Sequence, residues 1–258
     1  SNTKEVAEEL GTLYIVSTPI GNLKDATHRS LEVLSDVDLI AAEDTRRTSI
    51  LLKHYSIKTP LTSFNSYNQV KKSYGLIARL KEGQDLALVS DAGTPGVSDP
   101  LYHLVKAALH ERVPLVSLPG PSSVLVALTI SGLPINRFVF EGFLPRKKGR
   151  KKLIEELTQE KRTIVIFESP HRIAKTLNEL SKVMGDREAV IARELTKLYE
   201  EVIRGTLGSL AVMAEKKKLK GEITLVISGA QKIKIERTKW ALFRLLDIKE
   251  VWGKPHCL

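Results

Sequence analysis

Short apolar runs alternate with longer stretches that place apolar residues at helical spacing along most of this chain. In the first half Gly11–Ser17, Asp38–Ala42, Pro60–Phe64, Leu86–Val89 and Pro114–Leu118 read as strands, rich in aliphatic residues and closed by breakers. Between them the pattern predicts helices over Asp25–Leu34, Thr48–Tyr55 (capped from Asp44 or Thr45) and Asn65–Glu82. A further helix follows Leu86–Val89, with Asp99 as N-cap and Pro100 at its first position. Ser122 or Ser123 caps another over Val124–Ser131. The second half repeats the alternation. Phe138–Phe143, Thr163–Phe167, Glu188–Ala192, Glu200–Thr206 and Gly221–Gly229 read as strands. Arg146–Glu160 is a basic loop running into a helix, and Arg172–Met184 is a helix with Ser169 capping and Pro170 at its start. Such alternation predicts an α/β fold with parallel or mixed sheets. Gly132-Leu133-Pro134 interrupts it, so the boundary between two α/β domains falls near 122–135, giving 11–122 and 123–230. The remainder, 231–258, is a basic extension with a helical stretch at Lys239–Leu246.

Five strands end in a polar or breaker cluster that leads into a helix: STPIGN, AEDTRRT, SDAGTPG, PGPSS and FESPHR. Loops at the carboxyl ends of strands in an α/β sheet lie on one edge, so the five can converge on a single cleft. Capping and turning alone would account for one such cluster. Five that carry Glu43, Asp44, Arg46, Arg47, Asp91, Glu168, His171 and Arg172 point to a shared site. Gly93 and Gly96 in the third cluster allow the main chain to approach a ligand closely.

Composition narrows the classes. With 258 residues, 42% hydrophobic and 27% charged, the chain suits a globular protein. Its formal charge of +10 favours an anionic partner such as nucleic acid. Arg146–Lys152 (RKKGRKK) is the densest basic cluster, six cations in seven residues, and is either a solvated loop or a phosphate grip. The single cysteine, Cys257, excludes a disulfide within the chain and points to the cytoplasm. No apolar run is long enough to span a membrane, and SNTKEVAEEL has no signal-peptide core. GxGxxG after a strand, GxxxxGK[ST] and HExxH are all missing, and the six histidines have no metal-ligand spacing, so no metal is expected. His171 is either a surface residue at a helix start or a substrate contact.

TPIGNLKDAT, AEDTRRT, SDAGTPGVSDP, PGPSS, FEGFLPRKKGRKK and ESPHR, in this order, resemble the ribosomal RNA small-subunit methyltransferases of the tetrapyrrole methylase-like superfamily. The resemblance runs from about Thr12 to Gly229. It implies two α/β domains with S-adenosylmethionine in the cleft between them, in a homodimer. It also implies 2′-O-methylation of a cytidine in the decoding region of small-subunit rRNA, on a partly assembled ribosomal subunit. Matched residue by residue, it assigns donor contacts to Ile20, Asp91, Thr94, Ser122 and Ser123, with Ile223 and Thr224 on the adenine side. Gly93 would bring its main chain to the same ligand. Methyl transfer from a sulfonium mainly needs positioning, whereas a ribose hydroxyl gains from a base. Asp25, Glu43 and Glu168 are the candidates. Glu43 comes first, at a strand end beside two arginines, although pairing with Arg46 or Arg47 would equally account for it. Arg46, Arg47, Arg172, His171 and the loop cations Lys147, Lys148 and Arg150 would hold the RNA. Two rivals stand: a methyltransferase for a tetrapyrrole or other small molecule, which has little use for RKKGRKK, and a non-catalytic RNA-binding protein, which has little use for SDAGTPG.

Overall fold

The structure, a computed structural model, describes residues 9–97 and 101–230. Its first half contains β1 (Leu13–Val16), α1 (His28–Asp36), β2 (Leu39–Ala42), α2 (Thr45–His54), β3 (Leu61–Ser63), α3 (Gln69–Lys81), β4 (Leu86–Val89), α4 (Tyr102–His110) and β5 (Leu115–Leu118). The strands form one sheet in the order β3-β2-β4-β1-β5, with every pairing parallel. β2 and β4 are buried along their whole length, as unbroken apolar strands covered on both faces must be. Leu13, Leu39 and Leu86 pack on one side, and Val16, Ile40 and Ala87 on the other.

The second half contains α5 (Ser123–Ser131), β6 (Phe138–Phe143), α6 (Arg150–Leu157), β7 (Thr163–Glu168), α7 (Ile173–Met184), β8 (Glu188–Arg193), β9 (Glu201–Thr206), α8 (Leu207–Lys216) and β10 (Ile223–Ile227). The sheet order is β6-β7-β10-β8-β9. Only the β6–β7 pairing is parallel, so this sheet is mixed. One face packs on α6, α7 and α8; the other receives Val124, Ala127 and Leu128 of α5 against Val165, Val190 and Val226. Ile20, from the loop after β1, enters this second cluster and ties the two halves together.

Local hydrogen bonds move several element ends from where the pattern puts them. A short 3-10 turn takes Leu23–Asp25, and α1 waits until His28 because the Thr27 side chain accepts from Ser30 N. α2 starts at Thr45, three residues early, since the Asp44 carboxylate accepts from Arg46 N. Residues 65–68 form a turn rather than helix, held by the Asn65 and Asn68 side chains. Ser122 does stand at the cap position of α5 but makes no capping bond, and Arg172, not Ser169, takes that position in α7. α8 is an element the pattern does not predict; Thr206 and Ser209 cap it reciprocally. The proposed cap Asp99, Pro100 and the helical stretch Lys239–Leu246 lie outside the described residues. Among the described residues no helix is long and apolar enough to cross a membrane.

Candidate active site

Because the first sheet is fully parallel, the loops after β1, β2, β4 and β5 all leave its carboxyl edge. They are stitched to one another. Thr18 and Gly93 exchange backbone hydrogen bonds of 2.9 and 3.0 Å, joining the β1 and β4 loops. Thr94 Oγ1 lies 2.9 Å from Ser17 Oγ and donates to Pro121 O at 3.2 Å, which adds the β5 loop. Asp91 Oδ1 accepts from Asp44 N at 2.9 Å, and Asp91 N reaches Glu43 Oε2 at 3.4 Å, which adds the β2 loop. At Gly93, where φ is +79°, a Cβ would sit 3.2 Å from Ile20 Cγ2 and 3.4 Å from Pro121 O. Glycine is what lets these three loops close on each other there.

This edge faces the ends of β7 and β10 across a cavity of about 480 Å³. Glu43, Arg47, Asp91, Gly93, Thr94, Ser122 and Ser123 line it from one side, and Glu168, Ile223 and Thr224 from the other. A smaller cavity of about 200 Å³ adjoins it, sharing Arg47, Asp91, Ala92 and Glu222; Ile20 lies in its wall. Loops from both halves thus meet on one site, as the five clusters lead one to expect.

The candidate carboxylates separate clearly. Glu43 lines the main cavity. Glu168 lines it too, but its side chain is wholly buried: Oε1 accepts from Ser169 N at 2.6 Å and pairs with Arg172 at 2.8 Å, and Oε2 accepts from Thr176 Oγ1 at 2.6 Å. Asp25 lines neither cavity, and its Oδ2 is buried without a hydrogen-bond partner among the described residues.

The cations separate as well. Arg47 projects at the junction of the two cavities, 3.8 Å from Asp91 Oδ2. Arg46 is exposed and bound to Asp44 at 2.7 Å, and it lines neither of these two cavities. The hydrogen bond from its guanidinium holds the Asp44 carboxyl at about 2, below the ordinary 3.8. The charged cap is therefore complete above that ordinary value and is lost as pH falls through about 2. His171 is exposed beyond the cavity rim.

Arg150 corrects the expectation of a six-cation phosphate grip. It is 9% exposed, and its guanidinium donates to Glu179 Oε2 at 2.7 Å, Thr176 Oγ1 at 2.8 Å and Pro145 O at 3.2 Å. With all three nitrogens engaged it anchors the loop. Lys147 and Lys148 stay exposed. Arg172 is likewise turned inward onto Glu168.

Three wall features carry no polar motif and went unread in the sequence. Phe143 and Phe167 form an aromatic wall with ring centroids 5.6 Å apart. Glu222, at the foot of β10, lines both cavities and binds Lys197 Nζ at 3.1 Å. Lys197 crosses over Gly21, whose missing side chain makes room for it.

The sequence profile of the Tetrapyrrole (Corrin/Porphyrin) Methylases matches residues 12–211. A protein of Thermotoga maritima named "Ribosomal RNA small subunit methyltransferase I" is 50% identical over 222 residues, 86% of this chain and 100% of that protein. A protein of the same name from Halalkalibacterium halodurans is 45% identical over 235 residues, 90% of this chain and 81% of its own. Among solved structures, a uroporphyrin-III C-methyltransferase from Thermus thermophilus, complexed with S-adenyl homocysteine, superposes with a TM-score of 0.62 at 17% identity. That superposition covers 84% of this chain and 97% of the other. The likeness is one of fold.

Proposed function

This chain belongs to the Tetrapyrrole (Corrin/Porphyrin) Methylases family, and from that membership we propose that it is an S-adenosylmethionine-dependent methyltransferase of small-subunit ribosomal RNA. The observation that carries this reading is the cavity between the two sheets. Seven of the eight residues expected at the donor line it: Asp91, Gly93, Thr94, Ser122, Ser123, Ile223 and Thr224. Ile20, the eighth, lies in the adjoining wall. The reaction proposed is 2′-O-methylation of a cytidine in the decoding region, by a cytoplasmic homodimer whose two domains span 11–122 and 123–230. The shared name of the curated relatives favours an RNA acceptor over a tetrapyrrole.

The residues present fit the donor. The cavity volume is in the usual range for small-molecule sites, and main chain is bare at Gly93, whose φ of +79° disfavours any side chain. Apolar walls at Ile223 and Phe167 suit a purine and a thioether, and Asp91 suits hydroxyl or ammonium groups. When bound, S-adenosylmethionine supplies an electrophilic methyl on a sulfonium. The protein's part is then to hold the acceptor oxygen in line and to remove its proton. Glu43 is the proposed base, because it lines the cavity from a strand end and is half-buried there, whereas the Glu168 side chain is wholly buried. Arg47, at the junction of the cavities, is placed to hold the phosphate beside the reacting ribose.

The deciding experiment is mass-spectrometric mapping of ribose methylation on small subunits lacking the modification, incubated with protein and donor. One new 2′-O-methylcytidine in the decoding region is expected; labelling of uroporphyrinogen instead would overturn the acceptor assignment.

Lys147 and Lys148 precede α6, exposed and outside any ion pair among the described residues. Replacing both with alanine should weaken RNA binding for all sequences and reduce the slope of log affinity against log salt by roughly 1 to 2. Filter binding from low to high salt reads this, and donor affinity should hold. Adding Arg150→Ala should instead lower the melting temperature, since that guanidinium is an internal anchor.

A further inference from the structure

β6 does not run regularly. Phe140 pairs with Val165, but the next pair, Phe143 with Phe167, uses three residues on β6 against two on β7. The extra residue is absorbed at Gly142, where φ is +58°. Such a bulge shifts the alternation by one. Without it, Phe140 and Phe143 would face opposite sides of the sheet, because their separation is odd. With it, Phe140, Phe143 and Phe167 share the face that looks into the cavity. Phe167 lies edge-on to Phe140 at 4.9 Å and tilted by 59° under Phe143 at 5.6 Å. Leu144, only 1% exposed, fixes the chain directly after Phe143 in the core. The ring is thus aimed and held, yet 55% of Phe143 remains open to solvent at the cavity wall.

Its neighbourhood indicates what covers it. Pro145 follows, its carbonyl bound by Arg150, and then the exposed Lys147 and Lys148. An open aromatic face within a few residues of unpaired cations is the combination that binds unstacked nucleotides: cations track the backbone and the ring stacks on a base. We propose that Phe143 is the stacking platform for the base of the nucleotide that is methylated, held at the wall of the donor cavity while Lys147 and Lys148 grip the flanking backbone. This rests on the RNA acceptor proposed above. The preference follows from chemistry. A nucleotide whose ribose reacts in a cleft must leave its helical stack, and an external ring replaces the stacking it loses. Any base has a face to offer, so Phe143 would contribute affinity and position rather than sequence choice.

The test compares Phe143→Ala, Phe143→Leu and Phe143→Tyr, with methylation of small subunits, calorimetric affinity for S-adenosylmethionine and melting temperature measured for each. Alanine and leucine are expected to raise KM for the subunit roughly tenfold to a hundredfold, the loss of one base–aromatic stack. Tyrosine should restore it, and donor affinity and melting temperature should match the wild type. If donor affinity weakens as KM for the subunit rises, the ring serves the donor's adenine and the proposal fails. It also fails if leucine behaves as wild type, since apolar bulk then suffices. Wild-type protein that methylates no subunit under the same conditions would overturn the acceptor assignment and this inference together, whereas a working wild type with indifferent variants overturns this inference alone.

Discussion

Asp91→Asn is expected to cut affinity for S-adenosylmethionine about tenfold to a hundredfold while leaving the melting temperature close to that of the wild type. The two oxygens of Asp91 have different tasks. Oδ1 accepts from Asp44 N at 2.9 Å and fastens the β4 loop to the β2 loop. Oδ2 takes no hydrogen bond among the described residues; Arg47 Nε stands 3.8 Å away, beyond hydrogen-bond reach, and the group lines both cavities. It is therefore an anionic acceptor open to the cavities, suited to the hydroxyl or ammonium groups of the proposed donor. Asparagine keeps the amide oxygen for Asp44 N and forfeits the charge, which removes a charge-assisted bond worth about 1.5–3 kcal/mol. Calorimetry against S-adenosylmethionine reads the loss directly. Unchanged affinity would remove Asp91 from the donor site. A large fall in melting temperature would show instead that the aspartate acts by bracing the loops.

The same residue illustrates what sequence could convey. SDAGTPG is legible because its demands are local: a strand must stop, a loop must turn at positive φ, and a carboxylate sits among glycines. The inner strands of both sheets were legible for a similar reason: β1, β2, β4, β7 and β10 are short apolar runs closed by polar or breaker residues. α8 was not, since Gly205 and Gly208 flank its start and weaken the helical pattern there, and its buried face is built partly from Ala211 and Ala214. The inward turn of Arg150 was also hidden. Six cations within seven residues look alike until α7 brings Thr176 and Glu179 against one of them. Phe143 shows the converse limit. Its identity is plain in FEGFLP, but its direction depends on a bulge that appears only when β6 is laid against β7. Side chains whose role depends on an element distant in the chain are those that pattern and motif leave undetermined.

Glu168→Gln bears on that limit most directly, because sequence puts Glu168 beside Glu43 as a possible base while the fold surrounds its carboxylate with protein partners. Its side chain has no exposed surface, and three groups hold it: Ser169 N, Thr176 Oγ1 and the Arg172 guanidinium. Thr176 Oγ1 in turn accepts from Arg150, so the carboxylate ends a chain linking α6, α7 and β7. Arg172 Nη1 is buried with no partner among the described residues, which leaves Glu168 as the balance for that charge. A glutamine presents an NH₂ to groups that are already donors and leaves the arginine uncompensated. Breaking a buried pair from one side costs about 3–5 kcal/mol, or roughly 6–20 °C in melting temperature for a chain of this size. Glu43→Gln should do the reverse: a melting curve near the wild type, with single-turnover methylation slowed about a hundredfold, the ordinary worth of a general base. Calorimetric melting and single-turnover rates on the two variants separate the roles. If Glu168→Gln melts as the wild type but loses turnover, while Glu43→Gln turns over normally, the base is the buried carboxylate and the division drawn between the two is reversed.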